Sequence, residues 1–179
     1  VGRVIALLAV AAAPILLEAG AALIAAAITF AAAAFVMRFF DKEEAKGDSG
    51  QTLKSPLDLI SVGQFVLLLG GIIIVGRIVS EMYGQAGLLP FAATAGLADV
   101  DAVTLAAASL VGNGLEAEVG AHAVMVAVLM NTLAKGVIAY MTGGARYAAL
   151  YFGAALAATI AAAAVWFLVT PLIAPMLEL

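Results

Sequence analysis

The chain has 179 residues, of which 65% are hydrophobic and only 11% charged, with a formal net charge of −4. Soluble domains carry roughly 45–50% apolar and about 25% charged residues, and a chain this short exposes much of its surface, so an ordinary soluble domain is excluded and a bilayer is the expected solvent. The absence of Cys and the single His exclude disulfide frameworks, thiolate metal centres and His-rich metal sites.

Val1 stands at the start in place of Met, which points to a beginning inside a longer or processed polypeptide. Residues 1–17 carry one Arg and their apolar pattern simply continues, which argues against a signal peptide. From Val4 to Val36 only Pro14, Glu18 and Gly20 interrupt the apolar run. As one helix it would measure about 50 Å against a hydrocarbon core of roughly 30 Å. It reads as two segments, 4–17 and 22–40, turning at Glu18-Ala19-Gly20, with a single kinked helix as the alternative. Residues 41–56 form the one polar stretch of any length, with Lys42, Lys46 and Lys54 in it and Arg38 at its edge. Lys and Arg concentrate on the cytoplasmic side, so a cytoplasmic loop is expected there.

The third segment runs from Leu57 to Met82, with Pro56 suited to start a helix and Gly84 to stop it. Gly63, Gly70 and Arg77 recur every seven residues and mark a stripe suited to close helix packing. Gln64 is expected to hydrogen-bond across helices. Arg77 and Glu81 make an i,i+4 pair expected to anchor the segment at the interface. The fourth segment, Leu88 to Val111, is interrupted between Ala95 and Asp101. The fifth, Val119 to Met141, stops at Gly143-Gly144, and the sixth, Tyr147 to Val169, at Pro171. Tyr147, Tyr151 and Trp166 suit interface positions. The expected fold is all-α: one polytopic transmembrane bundle over residues 1–179, of about six segments. Its fourth segment would be broken or re-entrant near Gly96 to Asp101. If that segment spans once, Arg146 lies opposite the 41–56 loop. If it re-enters, Arg146 joins the loop, as the distribution of positive charge favours.

An ionisable group at the centre of a membrane helix costs roughly 2.5–3.5 kcal/mol on insertion scales, so such residues face the bundle interior and read as functional. Asp99 and Asp101 lie about 200° apart around a helix and cannot share a face. They fit an interruption, with Gly96 permitting the break and Asp101 capping a half-helix from Ala102. Asn131 and Lys135 are four residues apart and share a face. Lys135 is the candidate charge partner of Asp99 or Asp101, and the pair reads equally as a structural lock or as a proton or cation switch. His122 falls near the membrane edge beside Glu116 and Glu118 and is not expected to be a ligand. No P-loop, dinucleotide fingerprint or HExxH is present, so no enzyme, cofactor or nucleic-acid partner is expected.

The runs Tyr83-Gly84-Gln85-Ala86-Gly87-Leu88 and Gly96-Leu97-Ala98-Asp99-Val100-Asp101-Ala102 are followed by Asn131-x-x-x-Lys135 and Gly143-Gly144-x-Arg146. Together they resemble a prokaryotic membrane domain-of-unknown-function family that often follows an MgtC/SapB-type membrane domain. The likeness covers roughly Pro56 to Arg146. It implies a multi-pass protein of the prokaryotic inner membrane, an MgtC/SapB-type domain or partner, and a link to divalent cations; this chain lacks that other half. Two functions are then expected. One is a cation or proton-coupled transporter or channel, built as a homodimer, with Asp99, Asp101 and Asn131 on the ion. The other is a non-transporting assembly or regulatory subunit whose Asp/Lys cluster is structural.

Overall fold

The computed structural model describes residues 1–40 and 59–177, so the 41–56 stretch lies outside the described residues. Five helical elements follow one another: α1 Gly2–Ala11, α2 Ala13–Phe40, α3 Leu59–Ala98, α4 Val100–Gly112 and α5 Ala117–Leu177. The chain is an all-α bundle, and among the described residues three helices, Ala13–Met37, Val66–Gly84 and Ala117–Leu168, are long and apolar enough to cross a membrane. This is a membrane protein.

Two of the five elements are bent rods. Gly84 (φ 60°, ψ −150°) divides α3, and Gly144 (φ 75°, ψ 179°) divides α5. Both conformations lie in a region that side chains with a Cβ rarely adopt, so glycine is what permits the fold-back at each point. The first helices join differently from the sequence expectation. The break falls at Ala12 (φ −156°, ψ 75°), and Glu18 to Gly20 continue inside α2. Pro14 explains the shift, because a proline is accommodated in the first turn of a helix but not further in.

Side-chain contacts fix the directions. A Cβ on Gly120 would meet Val111 at 2.7 Å and Ile15 at 3.0 Å. The α1–α2 junction therefore lies beside the end of α4 and the start of α5. Arg77 and Glu81 border the same cavity as Ser109 and Asn113, which places the Gly84 bend at that end too. At the opposite end Val36 and Met37 of α2 lie beside Arg146, just past the Gly144 bend. The limb Ala86–Ala98 and α4 each measure about 20 Å, short of the roughly 30 Å core. They enter from the Gly84 end and return to it, so the fourth segment is a re-entrant hairpin. Arg146 then stands at the end where α2 stops and α3 starts.

Small residues hold this together. One buried cluster joins Val4, Leu8 and Ile15 to Ala107, Ala108, Ala121 and Val124; a second joins Leu88 and Ala92 to Val103, Ala106, Ala123 and Ala127. Alanine lets helix axes approach, and between helices in lipid that close packing replaces the hydrophobic drive. The Gly63–Gly70 stripe plays no part in it: an added Cβ at Gly63, Gly70 or Gly71 would touch nothing within 4 Å. The expected seam faces outward.

Candidate functional site

The tip of the hairpin is a single residue. Asp99 takes an extended backbone (φ −155°, ψ 113°) between α3 and α4, and its Oδ1 accepts the backbone N–H groups of Asp101 at 2.8 Å and Ala102 at 3.4 Å. It is thus the N-cap of α4, satisfying amide donors that a helix start leaves without partners. The sequence reading gave this role to Asp101 with the helix starting at Ala102. Instead the helix starts at Val100 and Asp101 lies in its first turn, where the positive end of the helix favours a carboxylate.

Gly96 is not the break point either; it remains helical. A Cβ there would stand 2.6 Å from the Cα and 2.9 Å from the carbonyl oxygen of Ala127, so Gly96 is where the hairpin crosses α5. The interruption does leave the Gly96 carbonyl without its helical donor. Asn131 supplies one: its Nδ2 donates to the Gly96 oxygen at 3.3 Å. This bond pins the hairpin tip to α5, a contact worth about 0.6–2 kcal/mol between membrane helices.

The charge pairing also departs from expectation. Asp101 pairs with Arg3 of α1, Oδ2 to Nη2 2.7 Å, and not with Lys135. The Asp101 side chain is 12% exposed and that of Arg3 is 86% exposed. Arg3 is therefore the partner that sequence reasoning passed over. Its signal was there, as the lone charge in residues 1–17. Lys135 is exposed and makes no ion pair among the described residues, but it borders the same cavity of about 420 Å³ as Asn131, Val100, Gly2 and Tyr151. Tyr151 donates its hydroxyl to the Thr132 carbonyl at 3.2 Å on that wall. Behind the tip Thr104 is fully buried and donates back to the Val100 carbonyl at 2.8 Å.

The remaining polar residues lie apart. Arg77 donates from Nε to Glu81 Oε1 at 3.0 Å, as expected for that pair. Gln64 is exposed on the outer face of α3 and does not reach across helices. His122 packs against Trp166, ring centroids 5.3 Å apart. Among the described residues no group of three or more His, Cys, Asp or Glu is arranged to hold a metal.

The structure thus gathers Asp99, Asp101, Asn131, Arg3 and the Gly96 carbonyl at one level, with Lys135 on the adjoining wall. Two carboxylates and two cations balance, and Asp99 Oδ2 and Asn131 Oδ1 take no hydrogen bond among the described residues. The arrangement offers oxygen atoms at a helix break beside a cavity, which suits reversible binding of a hard cation or a proton. No curated protein and no solved structure matches the chain. A family model does match, over residues 1–143, which take in the hairpin, Asn131 and Lys135. The chain belongs to the family described as Domain of unknown function (DUF4010).

Proposed function

We propose that the chain is a multi-pass transporter or channel for an inorganic cation, in the inner membrane of a prokaryote. The observation that carries this reading is the re-entrant hairpin. It places Asp99, the Gly96 carbonyl and Asn131 at an interruption bordering a cavity, and irregular backbone inside a membrane is tolerated only where protein buries it or a cavity meets it. Asp99, Asp101 and Asn131 bind the ion, and Lys135 and Arg3 balance the carboxylates when it leaves. A divalent ion suits two carboxylates, and exchange against a proton suits the neighbouring amine. An MgtC/SapB-type domain is the natural partner on the resemblance drawn from the sequence. A second copy of this chain would cover the outward stripe of α3.

The test is ion flux into proteoliposomes. Asn caps a helix about as well as Asp, so Asp99→Asn keeps the hairpin while removing the charge. Flux should fall at least tenfold, about 1.4 kcal/mol, in Asp99→Asn and in Asp101→Asn, with folding retained. Wild-type flux in both variants overturns the ion site.

The Arg3–Asp101 bridge favours a second reading, a non-transporting assembly or regulatory subunit in which the charges only set helix packing. In that case ions leave the melting temperature of the protein unchanged while loss of either charge lowers it.

A further inference from the structure

A second polar site lies at the other end of the hairpin, away from Asp99. A cavity of about 280 Å³ opens between α3 and the α4–α5 turn, walled by Arg77, Ser80 and Glu81 on one side and by Ser109, Asn113 and Gly114 on the other. Its level is set by the Gly84 bend, where the long first limb of α3 stops, and by the end of α4 at Gly112; a spanning helix ends where the headgroup layer begins. Arg77 sits about 10 Å short of the bend, a depth from which an Arg stem reaches the interface.

The two charges lie on one wall. Arg77 and Glu81 are in contact at 3.0 Å yet each is about two-thirds exposed. In this order along the chain the pair gives little to an isolated helix, and exposed pairs contribute about 0–1 kcal/mol. Stability therefore gives it no reason to occupy this depth. What the pair does offer is one cationic and one anionic group side by side, facing hydroxyls on Ser80 and Ser109. The Asn113 Nδ2 donates to the Ser109 carbonyl at 2.7 Å, which leaves its amide oxygen for a ligand. The opposite wall is the carbonyl end of α4, whose dipole favours a cation.

We infer that this cavity binds the phosphoethanolamine headgroup of a membrane lipid, with phosphate on Arg77 and ammonium on Glu81 and the end of α4. A phosphate and a primary ammonium joined by two carbons match a guanidinium and a carboxylate held side by side. A trimethylated ammonium has no N–H to give to Glu81 or to the Asn113 oxygen, and a glycerol headgroup has no cation. The site is separate from the ion-site reading and does not depend on it.

The test is lipid binding to the full chain in detergent, by native mass spectrometry and by lipid-induced thermal shift. Phosphatidylethanolamine should bind about tenfold more tightly than phosphatidylcholine or phosphatidylglycerol, the scale of one charge-assisted hydrogen bond. That preference should vanish in Arg77→Gln and in Glu81→Gln. Ser80→Phe, which keeps both charges and fills the cavity, should abolish it as well and guards against misfolding of the charge variants. Equal binding of the ethanolamine and choline lipids, or tighter binding of the glycerol lipid, overturns the assignment. So does an ethanolamine preference that survives Ser80→Phe. Soluble glycerophosphoethanolamine should compete only weakly; competition as strong as that of the lipid would place the ligand in water and overturn the bilayer source.

Discussion

At the residue scale the decisive finding is who holds Asp101. An Asp with its side chain 12% exposed needs a counter-charge, and the structure supplies Arg3 from an element distant in sequence. Breaking such a pair costs more than the pair contributes, because the group left behind keeps its desolvation penalty. Arg3→Gln, which strands the buried carboxylate, should lower stability by about 1–3 kcal/mol, and Asp101→Asn, which leaves an Arg already 86% exposed, should cost less. The double variant should lose less than the sum, with a coupling of about 0.5–2 kcal/mol in thermal melts in detergent. Strict additivity would show that the bridge does not form in solution. Asp99, Asp101, Asn131 and Lys135 were legible in the sequence because each is an expensive residue inside an apolar segment. Their pairing was not, since a helix face says which residues align on one rod and nothing of which rod lies opposite. Lys135 was the nearer candidate in sequence; Arg3 won because α1 packs along α4.

At the element scale the six expected segments resolve into long limbs joined by three short helices. The stops at Gly84 and Gly143-Gly144 were legible because glycine marks them, and the hairpin because Asp99 and Asp101 cannot share a helix face. The Ala12 break was not, because α1 carries no capping signal at either end: its N-cap is Val1 without a side-chain bond, and its C-cap is an alanine. Glu18 and Gly20 drew the expected turn toward themselves, one by polarity and the other as a helix breaker. Two glycines now separate two uses of the residue. At Gly96 the constraint is space, because the Ala127 backbone fills the place of a Cβ. At Gly84 the space is open and the constraint is the backbone angle. Gly96→Ala should cost about 1–3 kcal/mol by overpacking, and Ala127→Gly should restore only part of it, since the Ala127 Cα itself stands at 2.6 Å. Gly84→Ala should cost about 1–3 kcal/mol through strain, with no rescue from any neighbour. Thermal melts of the three variants separate the cases; full rescue of Gly96→Ala would mean that the hairpin crosses α5 less closely than described.

On the scale of the whole molecule the architecture repeats. A short helix runs from mid-bundle to the Gly84 end and a long helix runs back, once as α1 and α2 and again as α4 and the first limb of α5. Arg3 and Asp101 are each the second residue of their short helix, so the bridge joins equivalent positions. The repeat lies in the fold, and alanine-rich helices carry little sequence identity to mark it. Its halves differ where it matters: the cavity wall contributed by α5 carries Asn131 and Lys135, while α2 contributes Ala27 and Phe30. A lone exposed Lys on that wall cannot face lipid tails at low cost, so water is expected to enter the cavity. Its walls lie between the hairpin tip and the Arg146 end, and the returning helices close the other side. Water is then expected to reach the tip from the Arg146 end. The chain has no Cys, so single cysteines report this directly. Lys135→Cys should react with a membrane-impermeant thiol reagent from the Arg146 side only, and Ser109→Cys from the opposite side only. Leu156→Cys, at an exposed apolar position on the second limb of α5, should stay unreactive from both. Reaction of Lys135→Cys from the Ser109 side would place the water path through the hairpin rather than beneath it.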